Sequence, residues 1–212
     1  MTWKRTLDQL AKPASGRVAP VFKPYHAAVA LVMIGREQPL GRYELCQNMS
    51  IGEGSVRTLL RRFTEAGLIM ADGKQGQRLT SRGQRLFKDI LKDIPMGLFL
   101  DLGSLAIYPH TYANLVRGRA GLVRDGIRQR DEAIVQGGRE HAGATTLVMK
   151  NGLLLMPPDD HNVLLTSERE ATLILESLRP QDGDVIVIGA SDDRNLAREV
   201  AMAAALTLFE DE

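Results

Sequence analysis

Cysteine is almost absent from this 212-residue chain. With Cys46 alone, no disulfide framework can close within the chain and no cysteine cluster can hold a metal, so a reducing compartment is expected. Four scattered histidines add no catalytic triad that spacing can support. No apolar run approaches the roughly 20 residues of a membrane-spanning helix. The start, Met1 to Leu10, carries Lys4, Arg5 and Asp8 and lacks the apolar centre of a secretory signal. A soluble cytoplasmic protein without metal or cofactor is the expectation. Net charge is also nearly missing, at +1, but only as a sum. Residues 1 to 94 hold 16 Lys and Arg against 8 Asp and Glu, a net of +8; the remainder holds 11 against 18, a net of −7. A basic half seeks polyanions through counterion release and an acidic half does not.

What is present is enough apolar residue for a real core, 44%, in a length that suits one large domain or two small ones. The stretch from Ser50 to Thr80 organises the first half. Ser50 and Glu53 have the spacing of a capping box, which places a helix start near Ile51. Val56, Leu59, Leu60 and Phe63 then fall on one stripe, leaving Ser55, Arg57, Thr58, Arg61 and Arg62 towards water. Gly67 supplies a left-handed stop, Leu68 to Met70 reads as a strand, and Gln77 to Leu79 pairs back around Asp72-Gly73, Lys74 and Gln75-Gly76. Helix, glycine stop and hairpin with a cationic tip follow the plan of a winged helix-turn-helix. Its chemistry suits duplex DNA: arginine can donate twice to a guanine edge, and Ser or Thr can bond bases or phosphates. The candidate DNA-binding residues are Arg42, Ser50, Glu53, Ser55, Arg57, Thr58, Arg61, Arg62, Lys74, Gln75 and Arg78. Arg61 and Arg62 lie off the apolar stripe, so their replacement is expected to weaken binding without unfolding. The plainer reading of the same arginines is an ordinary solvated face on a protein-interaction module.

Around this stretch, residues 1 to 20 read as a loose arm carrying Arg5, Lys12 and Arg17, with Lys23 just beyond. Pro24 to Ile34 is apolar nearly all round and suits a buried first helix ended by Gly35, with His26 at its surface or boundary. Gly41 to Met49 gives a short second helix with Tyr43, Leu45, Cys46 and Met49 inward. Ser81 opens a further helix, Arg82 to Lys92, suited to leading out of the domain or to dimerisation, and Pro95 and Gly97 mark the boundary. Two domains follow, 1–94 and 95–212.

Leu40-Gly41-Arg42, the run from Ile51 to Phe63, Gly67-Leu68-Ile69 and Leu79 to Gly83 resemble the winged-helix half of a family of archaeal proteins. Gly126 to Gly138 and Gly143 to Val148 resemble the second domain of that family, a domain of unknown function. The resemblance covers most of the chain and implies a transcriptional regulator. It implies no activity and no ligand.

In the second half, Gly97 to Leu102 and Tyr112 to Val116 read as strands and Leu122 to Gln136 as a helix. Ala144 to Met149 and Leu153 to Met156 flank Asn151-Gly152, a two-residue hairpin signal. Thr166 caps a helix through Leu178; Asp184 to Gly189 is a buried strand, and Leu196 to Leu208 a last helix. The class is therefore α+β, with a C-terminal α/β sandwich whose strand, helix, strand, strand, helix, strand order is that of a ferredoxin-like split βαβ fold. Right-handed crossovers would put both inner helices on one face. Candidate effector-binding residues are Arg128, Arg130, Asp131, Thr145, Thr146 and Ser191. The plainer readings are preferred locally. Arg130-Asp131 is a surface ion pair, Ser191 or Asp192 caps its own helix, and Asp159-Asp160-His161 is a solvated loop without a second metal-binding cluster. The expected protein is a DNA-binding regulator, a homodimer whose second domain dimerises, senses a small molecule, or both. The alternatives are a nucleotide- or metabolite-processing enzyme with an accessory winged helix, and a winged helix used only for protein contacts.

Overall fold

Thr2 caps a helix where the sequence suggests a loose arm: its hydroxyl accepts the Arg5 amide at 3.5 Å, and α1 runs from Trp3 to Ala11. The computed structural model describes residues 2–13, 19–138 and 140–210. The chain divides into two units, 1–91 and 92–211. In α1, Trp3, Leu7 and Leu10 form a buried stripe that packs on α2 (Pro24–Glu37), and this burial orders the segment. Arg17 lies outside the described residues. His26, expected at the boundary, is only 5% exposed, and its Nδ1 accepts the Lys23 amide at 2.9 Å, capping α2. The helix passes through Gly35. A Cβ there would sit 2.6 Å from the Phe87 ring, so this glycine admits a neighbouring side chain instead of ending the helix.

The short α3 (Arg42–Gln47) is capped by Gly41, whose N–H donates to the Glu44 carboxylate at 2.6 Å. With under two turns, α3 turns Leu45 inward and leaves Tyr43 73% exposed, against the expectation for Tyr43. Helix α4 (Glu53–Glu65) starts two residues later than the proposed capping box implies. Its N-cap is Gly52, which is extended at φ -64 and ψ 160; the chain bends through Ser50 and the buried Ile51 before it. Val56, Leu59, Leu60 and Phe63 are all buried, each stabilising by about 1.5–3 kcal/mol as an upper bound. Gly67, at φ +65, ends the helix region before the antiparallel hairpin of β1 (Ile69–Ala71) and β2 (Gln77–Leu79), and α5 (Ser81–Asp93) follows. The hairpin is tied to the segment before α3: Leu40 and Gln77 exchange main-chain bonds at 3.0 and 2.8 Å.

The second unit contains β3 (Met96–Phe99), β4 (His110–Val116), α6 (Ile127–Gly137), β5 (Ala142–Lys150), β6 (Leu153–Met156), β7 (His161–Asn162), α7 (Glu168–Leu178), β8 (Val185–Ser191) and α8 (Arg194–Leu206). Its strands form one antiparallel sheet in the order β3-β4-β8-β5-β6-β7. Asn151 and Gly152, at φ 53 and 75, close the β5–β6 hairpin. The first expected strand ends at Phe99, and α6 begins only after Gly126, with a 3-10 turn at Ala120–Leu122 where the sequence suggested a helix start. Ser167 occupies the cap position of α7, one residue after Thr166.

The ferredoxin-like arrangement is corrected on two counts. The last strand, β8, lies between β4 and β5, where the split βαβ order places the third strand. The inner helices also lie on opposite faces. Gly189 of β8 faces α8, where a Cβ would approach the Ala201 Cα to 2.7 Å, and α6 packs beside α8. Ile186 and Ile188 point the other way, into a core with Leu147, Met149, Ala171, Ile174 and Leu178 of α7 and its neighbours. The reason lies in β8, which is buried at every residue. A strand apolar on both sides needs cover on both faces, and a single helical layer would leave half of it wet. Among the described residues no helix is long and apolar enough to cross a membrane.

Candidate functional site

In the first unit the outer face of α4 carries an ion-pair ladder. Arg57 reaches Glu53 at 3.0 Å, Arg61 reaches Glu65 at 2.7 Å, and Arg42 at the start of α3 reaches Glu53 at 3.5 Å. Glu53, expected in a capping box with Ser50, pairs with these arginines, and the N-cap is Gly52. Thr58 donates to the Gly54 carbonyl at 2.9 Å, and Ser55 is half-buried at a hollow it shares with Thr58 and Phe22. Ser50, Lys74 and Gln75 are exposed, the last two at the hairpin tip, and Arg78 pairs with Asp72 across the hairpin at 2.6 Å.

Arg62 departs from its expected place. Its guanidinium donates to the Leu10 carbonyl at 2.7 Å and to the Lys12 carbonyl, and it lies 5.8 Å from the centre of the Phe22 ring. These contacts make Arg62 a clamp on the end of α1, so the expectation that it could be replaced without affecting folding does not hold. Arg82, Arg85 and Lys88, outside the expected DNA-binding set, are also exposed at three-residue intervals on α5. That spacing was the available signal.

In the second unit a cavity of about 520 Å³ lies against the turn from Gly103 to Tyr108, residues Ala142–Thr145 of β5, and Arg130 and Ile134 of α6. A smaller hollow of about 150 Å³ shares Arg130, Ala144 and Thr145 with it and adds Thr146 and the start of α6. Thr145 donates to the Leu105 carbonyl at 2.7 Å. Thr146 points to the opposite face of the sheet, is 4% exposed, and its hydroxyl has no hydrogen-bond partner among the described residues.

The six expected effector residues therefore separate. Arg130, Thr145 and Thr146 meet at the hollows. Arg128 pairs with Glu210, and Asp131 pairs with Arg130 at 3.0 Å on the surface. Ser191 is buried, donating to the His141 carbonyl at 2.7 Å and accepting the Asp193 amide at 3.1 Å. The expected cap of α8 shifts with it: Asp193 accepts the Leu196 amide at 2.8 Å. In the loop before β7, Asp160 pairs with Lys150 at 2.6 Å, and His161 at the start of β7 bonds Thr166 at 2.8 Å.

The Gly103–Leu105 turn is held by charge. Arg169 bonds the Asp101 carboxylate at 2.6 Å and keeps it below the usual carboxylate range, while Asp101 raises the guanidinium in return. The Ser104 hydroxyl bonds the Glu170 carboxylate and lowers it likewise. No spacing in the sequence links Asp101 and Ser104 to a helix some 65 residues later, and none of these residues was anticipated.

The likenesses to known proteins fall on both units. A family described as a domain of unknown function (DUF4443) matches residues 107–208, and one described as the PH0730-like N-terminal domain matches residues 27–85. The fold is similar to that of an archaeal hypothetical protein. Among solved structures, the hypothetical protein PH0730 from Pyrococcus horikoshii OT3 matches with a TM-score of 0.71 and 25% identity, over 89% of this chain and 94% of that one. No curated protein matches the chain. The first region spans α2 to the start of α5, and the second spans β4 to the end of α8, so the cavity and its smaller neighbour fall largely within the domain of unknown function.

Proposed function

We propose that this chain is a cytoplasmic transcriptional regulator that binds duplex DNA through a winged helix-turn-helix in its N-terminal unit, acting as a homodimer. The observation that carries the reading is α4, whose buried stripe leaves Arg57 and Arg61 side by side in water, followed by a hairpin with Lys74 at its tip. In this reading α4 enters the major groove, where Arg57 and Arg61 meet base edges or phosphates, with Ser55 and Thr58 beside them. Arg42, Lys74, Gln75 and Arg78 hold the flanking backbone. Glu53 and Glu65 oppose this, since each is already paired with an arginine. Such exposed pairs are worth only about 0–1 kcal/mol and are screened by salt, so a phosphate can take the place of the carboxylate. The net of +8 over residues 1 to 94 supports the same reading.

A binding series on random and genomic duplexes tests it. With about four phosphate contacts per protomer, and so about eight per dimer, affinity should fall roughly 10,000-fold between 50 and 200 mM salt. Absence of binding at 50 mM, or a flat salt response, refutes the reading. Homodimerisation is tested by sedimentation, and a two-fold assembly should place the two α4 helices roughly 34 Å apart.

A further inference from the structure

We infer that the hollows joined at Arg130 bind a small organic monocarboxylate with an apolar body. Their size suits a small metabolite. The larger is lined by Leu105, Ile107, Ile134 and Ala142, which can take a hydrocarbon body but cannot orient a charged group. The polar features gather at the smaller one.

Three observations there point to a ligand. The first is an open strand edge. On one side β8 pairs with β5 from Ala142 to Val148, but on the other β6 pairs only from Val148 to Lys150. Met149 takes the Asp184 carbonyl towards β8, so by alternation Ala144 and Thr146 turn their main-chain groups to the uncovered edge. The second is the Thr146 hydroxyl, buried and without a partner among the described residues. A buried polar group in that state is unfavourable unless something that binds satisfies it. The third is Arg130, common to both hollows and, among the described residues, held by an exposed pair with its sequence neighbour Asp131. Such a pair is weak enough to exchange for a ligand carboxylate.

The charge favours a monoanion over a phosphate. One guanidinium faces the site, and Asp125 lines the smaller hollow while accepting the Ile127 amide at 2.9 Å. A dianion beside that carboxylate would be repelled. A single carboxylate can take the Arg130 fork and the Thr146 hydroxyl together, with its apolar chain in the larger cavity.

Hexanoate is the first probe, with hexanamide and inorganic phosphate as controls, titrated into the full-length protein and followed by amide NMR shifts. Hexanoate should move the Ala144, Thr146 and Ile127 signals, and the controls should not. Arg130→Gln should weaken hexanoate at least tenfold, as expected for loss of a charge-assisted bond. Thr146→Val should weaken it roughly threefold to tenfold while leaving the unfolding midpoint unchanged or raised, because the orphan hydroxyl is gone. No localised shift at millimolar hexanoate, an equal response to hexanamide, or a preference for phosphate overturns the inference. A Thr146→Val variant that is less stable yet binds hexanoate normally also overturns it. The site stands apart from the DNA reading: hexanoate binding without duplex binding sinks only the latter.

Discussion

Replacing Arg62 by alanine should destabilise the N-terminal unit, whereas replacing Arg61, its neighbour in sequence, should not. Arg62 donates to two carbonyls at the end of α1 and lies over Phe22. A bond to a charged group contributes about 1.5–3 kcal/mol when buried, and the face-on cation adds about 0.5 kcal/mol. Arg62 is only half-buried, and water can take over part of both bonds, so a net loss of about 1–3 kcal/mol is expected. Among the described residues Arg61 pairs with Glu65, and both side chains are at least half exposed, so its loss should change stability by less than about 0.5 kcal/mol. The single tryptophan, Trp3, is buried in the helix that Arg62 clamps, so its fluorescence in a urea titration reports the event directly. Under the proposed DNA reading, binding should show the reverse order. Arg61→Ala should lower the salt slope by about one per protomer, and Arg62→Ala should leave it unchanged. Equal urea midpoints for the two variants, or Trp3 exposed to quencher in the native wild type, would refute the clamp.

Gly189→Ala should destabilise the second unit by about 1–3 kcal/mol, because the added carbon meets the backbone of α8 at Ala197 and Ala201, which cannot rotate away; thermal unfolding checks this. Gly76→Ala should cost about 2–4 kcal/mol, since φ there is +132 and the new carbon would sit 2.5 Å from the Leu40 carbonyl carbon. Amide exchange at Gln77 should rise with it, as its bond to Leu40 is lost. Asp101 and Glu170 have folded pKa values below the ordinary carboxylate range, so their contribution is present above that range and lost as pH falls through the folded values. Acid unfolding of wild type against Glu170→Gln should show less acid sensitivity in the variant; identical curves would remove these groups from the account.

The periodic and turn signals were legible in the sequence because they depend on neighbours within a few residues. The α4 stripe, the Gly67 stop, the β1–β2 hairpin and the Asn151-Gly152 turn all occur where their local chemistry places them. The apolar run Val185–Ile188 also carried more than a strand: with no polar face, it required cover on both sides. Capping was less legible. Ser50 and Glu53 have the spacing of a cap, yet the N-cap of α4 is Gly52, and Asp193 displaced Ser191 and Asp192 at α8.

Sequence alone determined most of the elements from α2 onward, the charge division between halves and the exposure of Arg57 and Arg61 on α4, because helix and strand periods write themselves into the order of residues. Only the tertiary structure decided that β8 sits between β4 and β5, that α6 and α7 take opposite faces, and that Arg62 belongs to α1 rather than to water. The same holds for the meeting of Arg130 with the orphan hydroxyl of Thr146. Strand order and long-range polar partners are set by which surfaces can be buried together, a competition among segments far apart in the chain that no local pattern encodes.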